Sequence, residues 1–346
     1  MSNAAWETLS NQAVGAAGIV YFLALLTHLA EWASLRQPRS TVAEEARVAA
    51  GRQAEEGAGA PTATLEKPAA RRTEEERAAF LGRLGFLLTV IAAAAHVVSL
   101  VGRGMAGDPN RVPWGNMYEF TLTGSCLVTL MYLVLYRRLK LAWMAPLVVG
   151  FVVTVLMAAR IWLYEPVAPL TEALNSYWLM IHVTAAIIAT GAFTLGGIVS
   201  AVYLVKMRVQ KRLADGAELR GFLARVPSLD GLDRVAYRVH AFAFPVWTFA
   251  VLITGPIWAH EAWSRYWNWD PKEVWAFITW VVYAGYLHAR ATAGWKGRNA
   301  AILALLGVAT LWWNFIGVNF FAGNNSQHSY AGEAPVVVVS GPALVE

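Results

Sequence analysis

Cysteine is nearly absent: Cys126 is the single one in 346 residues. That excludes an internal disulfide and any Cys-x-x-Cys pair within one chain, so thiol redox chemistry would fall to other proteins. Cys126 itself lies in an apolar run and reads as a small packing residue. Charge is scarce too. Only 15% of residues are Asp, Glu, Lys or Arg, whereas 57% are hydrophobic and the mean hydropathy is +0.43. That balance excludes a soluble domain built around one core. What the chain has instead is a series of apolar runs near the length of about 20 residues that crosses a bilayer. The fold class follows: an all-α, polytopic membrane helix bundle of about eight transmembrane helices. The first run lacks a basic leader and a small-residue cleavage site, and is read as a membrane helix rather than a signal peptide.

The eight spans are expected near residues 13–33, 82–102, 117–136, 142–163, 177–205, 238–259, 273–290 and 299–320. Residues 1–35 thus hold an N-terminal transmembrane helix and 36–78 a charged cytoplasmic linker, rich in Ala, Glu, Arg, Gly and Pro and flexible or weakly helical. Residues 79–330 form the main membrane domain and 331–346 a loosely attached tail. Of the 28 Lys and Arg, 23 fall in 34–83, 137–140, 206–238 and 290–298, segments on alternate sides of successive spans. The positive-inside rule puts that group in the cytoplasm, and both termini outside. The net charge of +5 is therefore a topology signal, and no nucleic-acid partner is expected.

One window breaks the apolar pattern: Trp258-Ala-His-Glu-Ala-Trp-Ser-Arg-Tyr-Trp-Asn-Trp-Asp-Pro-Lys-Glu-Val-Trp275, with tryptophans at 258, 263, 267, 269 and 275. Its charges keep it out of the hydrocarbon unless it lines a cavity. Asp270, Pro271 and Glu273 have the spacing of a capping box that opens the seventh helix. An aromatic belt would place one or two rings at a helix end. Five in one loop fit a platform for a large flat ligand better.

The window resembles the tryptophan-rich WWD signature of haem-handling membrane proteins. Its continuation, Trp269-Asp-Pro-Lys-Glu-Val-Trp and Tyr286-Leu-His-Ala-Arg, is similar to the CcsA/ResC family (often termed CcsB in actinobacteria) of system II cytochrome c maturation. The segment Pro113-Trp-Gly-Asn-Met-Tyr-Glu-Phe120 resembles that family's Asn-x-Tyr-Glu stretch. Asn116 reads as a helix cap, Glu119 as a first-turn acid, and Trp114 and Tyr118 as cavity walls.

Seven histidines remain to be placed. His182 and His328 flank the tryptophan platform on the expected outer face, where haem iron could take an imidazole on each side. The resemblance implies that these two are the axial ligands of an external haem b. It also implies that His288, at the inner end of the seventh helix, binds a second haem together with a ligand from a ResB/CcsB-type companion subunit. His96 is a remote alternative partner. His28 and His240 are expected to be hydrogen-bonded in the bundle or to reach an interface. His260 departs from the family pattern and is expected to line the pocket. The candidate cofactor-binding set is thus His182, His328, His288, Trp258, Trp263, Trp267, Trp269, Asp270 and Trp275, with the three histidines as metal ligands. Lys272 and Arg265, rare outer cations, are candidates to meet haem propionates.

The function expected from the resemblance is cytochrome c maturation. Haem is moved to or held at the outer face of a bacterial plasma membrane and presented for thioether attachment to apocytochrome c Cys-x-x-Cys-His. Partners would be the companion subunit, the apocytochrome and thiol-reducing proteins, in a cytochrome c synthase that requires no nucleophile from this chain. A haem exporter or chaperone without ligation activity, and an unrelated solute transporter, are the competing readings.

Overall fold

The computed structural model describes residues 1–34, 69–169, 174–213, 219, 221–321, 326 and 328. Eight long helices succeed one another: α1 (Asn3–Ser34), α2 (Ala69–Met105), α3 (Met117–Arg138), α4 (Ala145–Trp162), α5 (Tyr177–Arg212), α6, α7 (Pro271–Ala291) and α8. α6 runs through Leu229–Thr248, a π-helical turn at Phe249–Thr254, and Gly255–Trp263. α8 likewise joins Arg298–Trp312 to Val318–Phe321 through a π-helical turn at Trp313–Gly317. The expected spans are helical, seven of them with wider bounds; the fourth, expected at 142–163, is a 3-10 turn at Leu141–Met144 followed by the shorter helix Ala145–Trp162. α2 begins at Ala69, inside the segment expected as linker, while residues 35–68 lie outside the described set.

The chain is a multi-pass membrane protein: seven of the helices are long and apolar enough to cross a bilayer. α7 is not among the seven, yet it lies antiparallel against α8 from Lys272 to Tyr283. Lys272 Nζ donates to Asn319 Oδ1 (3.0 Å), Trp275 packs on Trp313, Thr279 Oγ1 donates to Thr310 Oγ1 (3.1 Å), and Tyr283 OH donates to Ala304 O (3.3 Å). Gly307 is what lets the pair close, since a Cβ there would meet the Tyr283 ring at 2.7 Å. With 21 residues, α7 spans about 31 Å at 1.5 Å per residue, the thickness of the hydrocarbon layer. It therefore traverses the same layer as its neighbour.

The helices form two packed halves. One core joins α1 to α4 with the far part of α5, around Tyr21, Tyr132, Met144 and Leu156. The other joins α5 to α8 around Phe193, Trp247, Tyr283 and Tyr286, and a third, small cluster forms around Trp258 beside Leu179 and Val183. α5 belongs to all three. It is the central post.

The two ends of the bundle are tied differently. At the end carrying the Trp-rich loop, Arg103 and Glu119 are both fully buried and joined Nε to Oε1 at 2.9 Å. Arg111 reaches the other carboxylate oxygen at 2.6 Å, and the Gly115 N–H donates to the same oxygen at 2.8 Å. Arg103 also lies 3.6 Å from Glu7, donates to the Glu165 carbonyl and stacks near Tyr118. At the opposite end, Lys206 Nζ donates to the carbonyls of Val226 (2.6 Å) and Pro227 (2.9 Å), and Arg290 pairs with both Asp233 oxygens at 2.8 and 2.9 Å.

Candidate haem-binding cavity at the tryptophan-rich end

Local sequence chemistry sets the loop. Asp270 caps α7 by accepting from the Lys272 N–H at 2.8 Å, and Glu273 Oε2 returns to the N–H groups of Asp270 (3.2 Å) and Asn268 (2.8 Å). The expected capping box is present, with Pro271 at the first helical position. Trp269 precedes it at φ +56°, a left-handed conformation unusual for a bulky side chain, and its indole is 69% exposed.

Behind the loop lies a cavity of about 390 Å³, within the range of small-molecule sites. His182, Trp258, Trp263, Trp267, Lys272 and His328 line it, with Trp247, Val251 and Leu311 deeper in. His182 stacks on Trp258 with ring centroids 5.8 Å apart and planes 12° apart. His328 meets the same indole edge-on at 5.3 Å, and Trp263 at 4.7 Å. Both imidazoles therefore rest against one tryptophan.

His182 is oriented by a hydrogen bond at Nδ1, and His328 stands beside a carboxylate. His182 Nδ1 lies 2.9 Å from the Ala250 carbonyl, which can only accept, so the proton sits on Nδ1 and Nε2 keeps its lone pair. The π-helical turn of α6 brings that carbonyl into reach. Pro256, lacking an N–H, cannot donate to Leu252 in the regular helical ladder. Ala250 O is left to accept from the Gly255 N–H and, at 3.1 Å, from Thr254 Oγ1. Gly255 keeps this contact close, since a Cβ there would approach the His182 ring to 3.2 Å and the Ala250 oxygen to 3.0 Å and press on both. His328 Nδ1 lies 3.4 Å from Asp270 Oδ1, and its backbone carbonyl accepts from Lys272 Nζ at 2.9 Å.

Burial pushes the Asp270 carboxyl upward, but hydrogen bonds and charge from His328, with bonds from Ser326 and the Lys272 N–H, outweigh it and hold it at about 2. A depressed carboxyl contributes stability that is complete above its unfolded value near 3.9 and lost as pH falls through the folded one. The anchor is thus intact from pH 7 to 5. Asp270→Asn removes the charge at every pH. The expected result is faster proteolytic cleavage after Phe321 at pH 7 in the variant, with wild type no more susceptible at pH 5 than at pH 7.

Of the nine residues expected at the site, five line this cavity: His182, His328, Trp258, Trp263 and Trp267. Asp270 acts behind them through His328. Trp269 points to the exterior, Trp275 packs against Trp313 between α7 and α8, and His288 is exposed near the far end of α7. His260, expected in the pocket, instead stacks on Tyr266 at 4.2 Å on the exposed rim. Tyr118, expected as a wall, is buried beside Arg103 and Tyr164, and the wall is supplied by Gly115 and Phe120. Trp114 packs against the Trp258 cluster from behind. Asn116 caps α3 as expected, its Oδ1 accepting from the Glu119 N–H at 2.9 Å. His96 and His240 are fully buried away from the cavity, against Tyr21 and against Phe193, Tyr283 and Tyr286, and His28 lies 3.4 Å from Glu31. Arg265, expected at propionates, donates to Asn268 on the exposed surface.

One cavity residue gave no signal in the sequence. Asn314 sits in the π-helical turn of α8, is 9% exposed, and has its Oδ1 buried with no hydrogen-bond partner among the described residues. A buried polar atom left unmet costs about 1–3 kcal/mol.

Residues 114–323 match the family described as Cytochrome C assembly protein. The chain belongs to that family. Among curated relatives, it is 35% identical over 262 residues to the cytochrome c biogenesis protein CcsA of Guillardia theta, a match covering 71% of this chain and 85% of the relative. It is 32% identical over 274 residues to the CcsA of Synechococcus sp., covering 64% and 78%. Among solved structures, Cytochrome c Heme Lyase CcmF shares the fold with a TM-score of 0.55 at 15% identity; the match covers 92% of this chain, which spans about half the length of that one (49%). The family match covers α3 to α8, the helices that build the cavity, and leaves α1 and α2 outside it.

The donor set is compatible with a haem iron. Among the described residues no three His, Cys, Asp or Glu side chains converge to hold an ion. Two imidazoles in an aromatic cavity instead suit iron that brings four equatorial nitrogens in its own macrocycle.

Proposed function

We propose that this cavity receives haem b as a substrate and holds its iron between His182 and His328 while the vinyl groups are presented to an apocytochrome c Cys-x-x-Cys-His segment. The observation that carries the reading is the pairing of two imidazoles on Trp258, His182 fixed through Nδ1 to Ala250 O and His328 with Nδ1 3.4 Å from Asp270 Oδ1. Metal-binding histidines have such an acceptor behind the ring, which fixes orientation and raises basicity.

Each thioether forms by addition of a cysteine S–H across a vinyl C=C. One C–S and one C–H bond form, the S–H bond and the vinyl π bond are lost, and nothing leaves. The chain's own task is positioning: hold the porphyrin, exclude water, and release one axial position to the apocytochrome's histidine. With one buried cysteine, the chain leaves thiol reduction to other proteins. His288, exposed near the far end of α7, would bind iron only with a ligand from a second chain, for which a ResB-type companion subunit is the candidate. The Lys and Arg distribution supports a placement of the Trp-rich loop on the extracytoplasmic side.

The test is co-expression with the companion and an apocytochrome, followed by purification in detergent. The expected result is a reduced bis-histidine haem spectrum in the purified protein and a covalent haem–cytochrome product on a denaturing gel. Bound haem without covalent product would overturn attachment in favour of export or chaperoning. Absence of bound haem would overturn the reading altogether.

A further inference from the structure

The cavity wall made by α7 and α8 differs from the others. Opposite it, α5 and α6 contribute His182, Val183, Ala186, Val251 and Trp258, with no cation. On the α7–α8 side stands Lys272, held by Asn319 and the His328 carbonyl, and deeper on the same wall stands Asn314. Asn314 lies five residues before Asn319 along α8, and it lines the cavity together with Lys272 and the apolar Ala276 and Leu311.

We infer that Asn314 is a ligand-binding residue that meets a carboxyl group of the porphyrin edge, with Lys272 meeting the other. This deepens the haem reading and rests on it. A primary amide accepts through Oδ1 and donates through Nδ2. Oδ1 is closed off from the cavity and without a partner among the described residues, so a carboxylate in the cavity meets the amide through Nδ2. Haem carries both propionates on one edge and both vinyls on the opposite part of the ring. Seating the carboxyl edge against α7 and α8 turns the vinyl edge away from them, toward the rest of the cavity lining. The π-helical turn serves this placement, since its wider turn sets Asn314 at the cavity.

The test compares haem with its dimethyl ester, in which both carboxyls are blocked, by visible titration of the apoprotein in detergent. Variants are Asn314→Leu, close in volume but without hydrogen bonds, and Asn314→Gln, which keeps the amide. In Asn314→Leu, haem affinity is expected to fall roughly tenfold, about 1.4 kcal/mol, while ester affinity changes less than twofold. Asn314→Gln is expected to recover much of the difference. Equal loss of haem and ester in Asn314→Leu would mean a packing role and overturn the inference, as would no loss of either. Ester binding reports that the variant is folded. Failure of wild type to bind haem would strike the functional reading itself, a separate outcome.

Discussion

Replacing either His182 or His328 by alanine is expected to strip most of the haem from the purified protein, with spectroscopically bound haem falling about tenfold or more. The size follows from the geometry. Each ring is one of two donors, His182 is pre-oriented through Nδ1, His328 stands 3.4 Å from Asp270, and no third ligand-type side chain converges there among the described residues. The alanine cavity beside Trp258 can take free imidazole, so millimolar imidazole should restore the low-spin spectrum in both variants. The two sites should differ in one respect. His182 is fixed inside α5 and α6, whereas His328 is held through Asp270 and Lys272. Asp270→Asn should therefore mimic His328→Ala in part and leave His182 unaffected. Full haem content in either alanine variant would remove that residue from the ligand pair.

Removing Glu119 from the buried Arg103–Glu119 pair is expected to cost roughly 3–5 kcal/mol, because Arg103 and Arg111 both lose their carboxylate; removing Arg103 should cost less, because Glu119 keeps Arg111. Both side chains are fully buried, and Glu119 is held by two arginines and the Gly115 N–H. Glu119→Gln should lower the midpoint of thermal unfolding in detergent by several degrees, and Arg103→Met by fewer. A double Arg103→Met, Glu119→Gln protein should be less destabilised than the sum of the two, since the second change removes the orphaned charge that the first creates. Strict additivity would mean that the pair is not coupled. The clasp also bears on the cavity: Gly115 and Phe120, which line it, flank Glu119 on the chain. The Glu119→Gln protein should lose haem at a temperature below that at which it unfolds.

Much of this arrangement could be read in the residues, and the reasons are specific. Asp270, Pro271 and Glu273 make their capping box from neighbours within four positions, so spacing alone revealed it. His182 and His328 could be put at one end of the bundle because an even number of spans separates their segments. Glu119 was legible only as a first-turn acid; that Arg103 and Arg111 converge on it depends on how α2 packs against α3. The same limit explains Trp269 and His260. Both belong to the aromatic window, but the left-handed backbone at Trp269 turns its ring outward, and His260 stacks on Tyr266 at the rim.

By itself the sequence determined that this is a helical membrane protein, which residues start and stop its helices, and which aromatic and imidazole groups gather at one end. Those follow from bilayer thickness, capping chemistry and chain parity, all of which act locally or along the chain. Only the tertiary structure decided which of these groups share a cavity. The π-helical turns of α6 and α8 deliver the Ala250 carbonyl to His182 and set Asn314 on the cavity wall, and α7 takes its place through contacts along α8. The reason is physical: helical periodicity says which side chains lie on one face, but the packing of neighbouring helices says what that face meets.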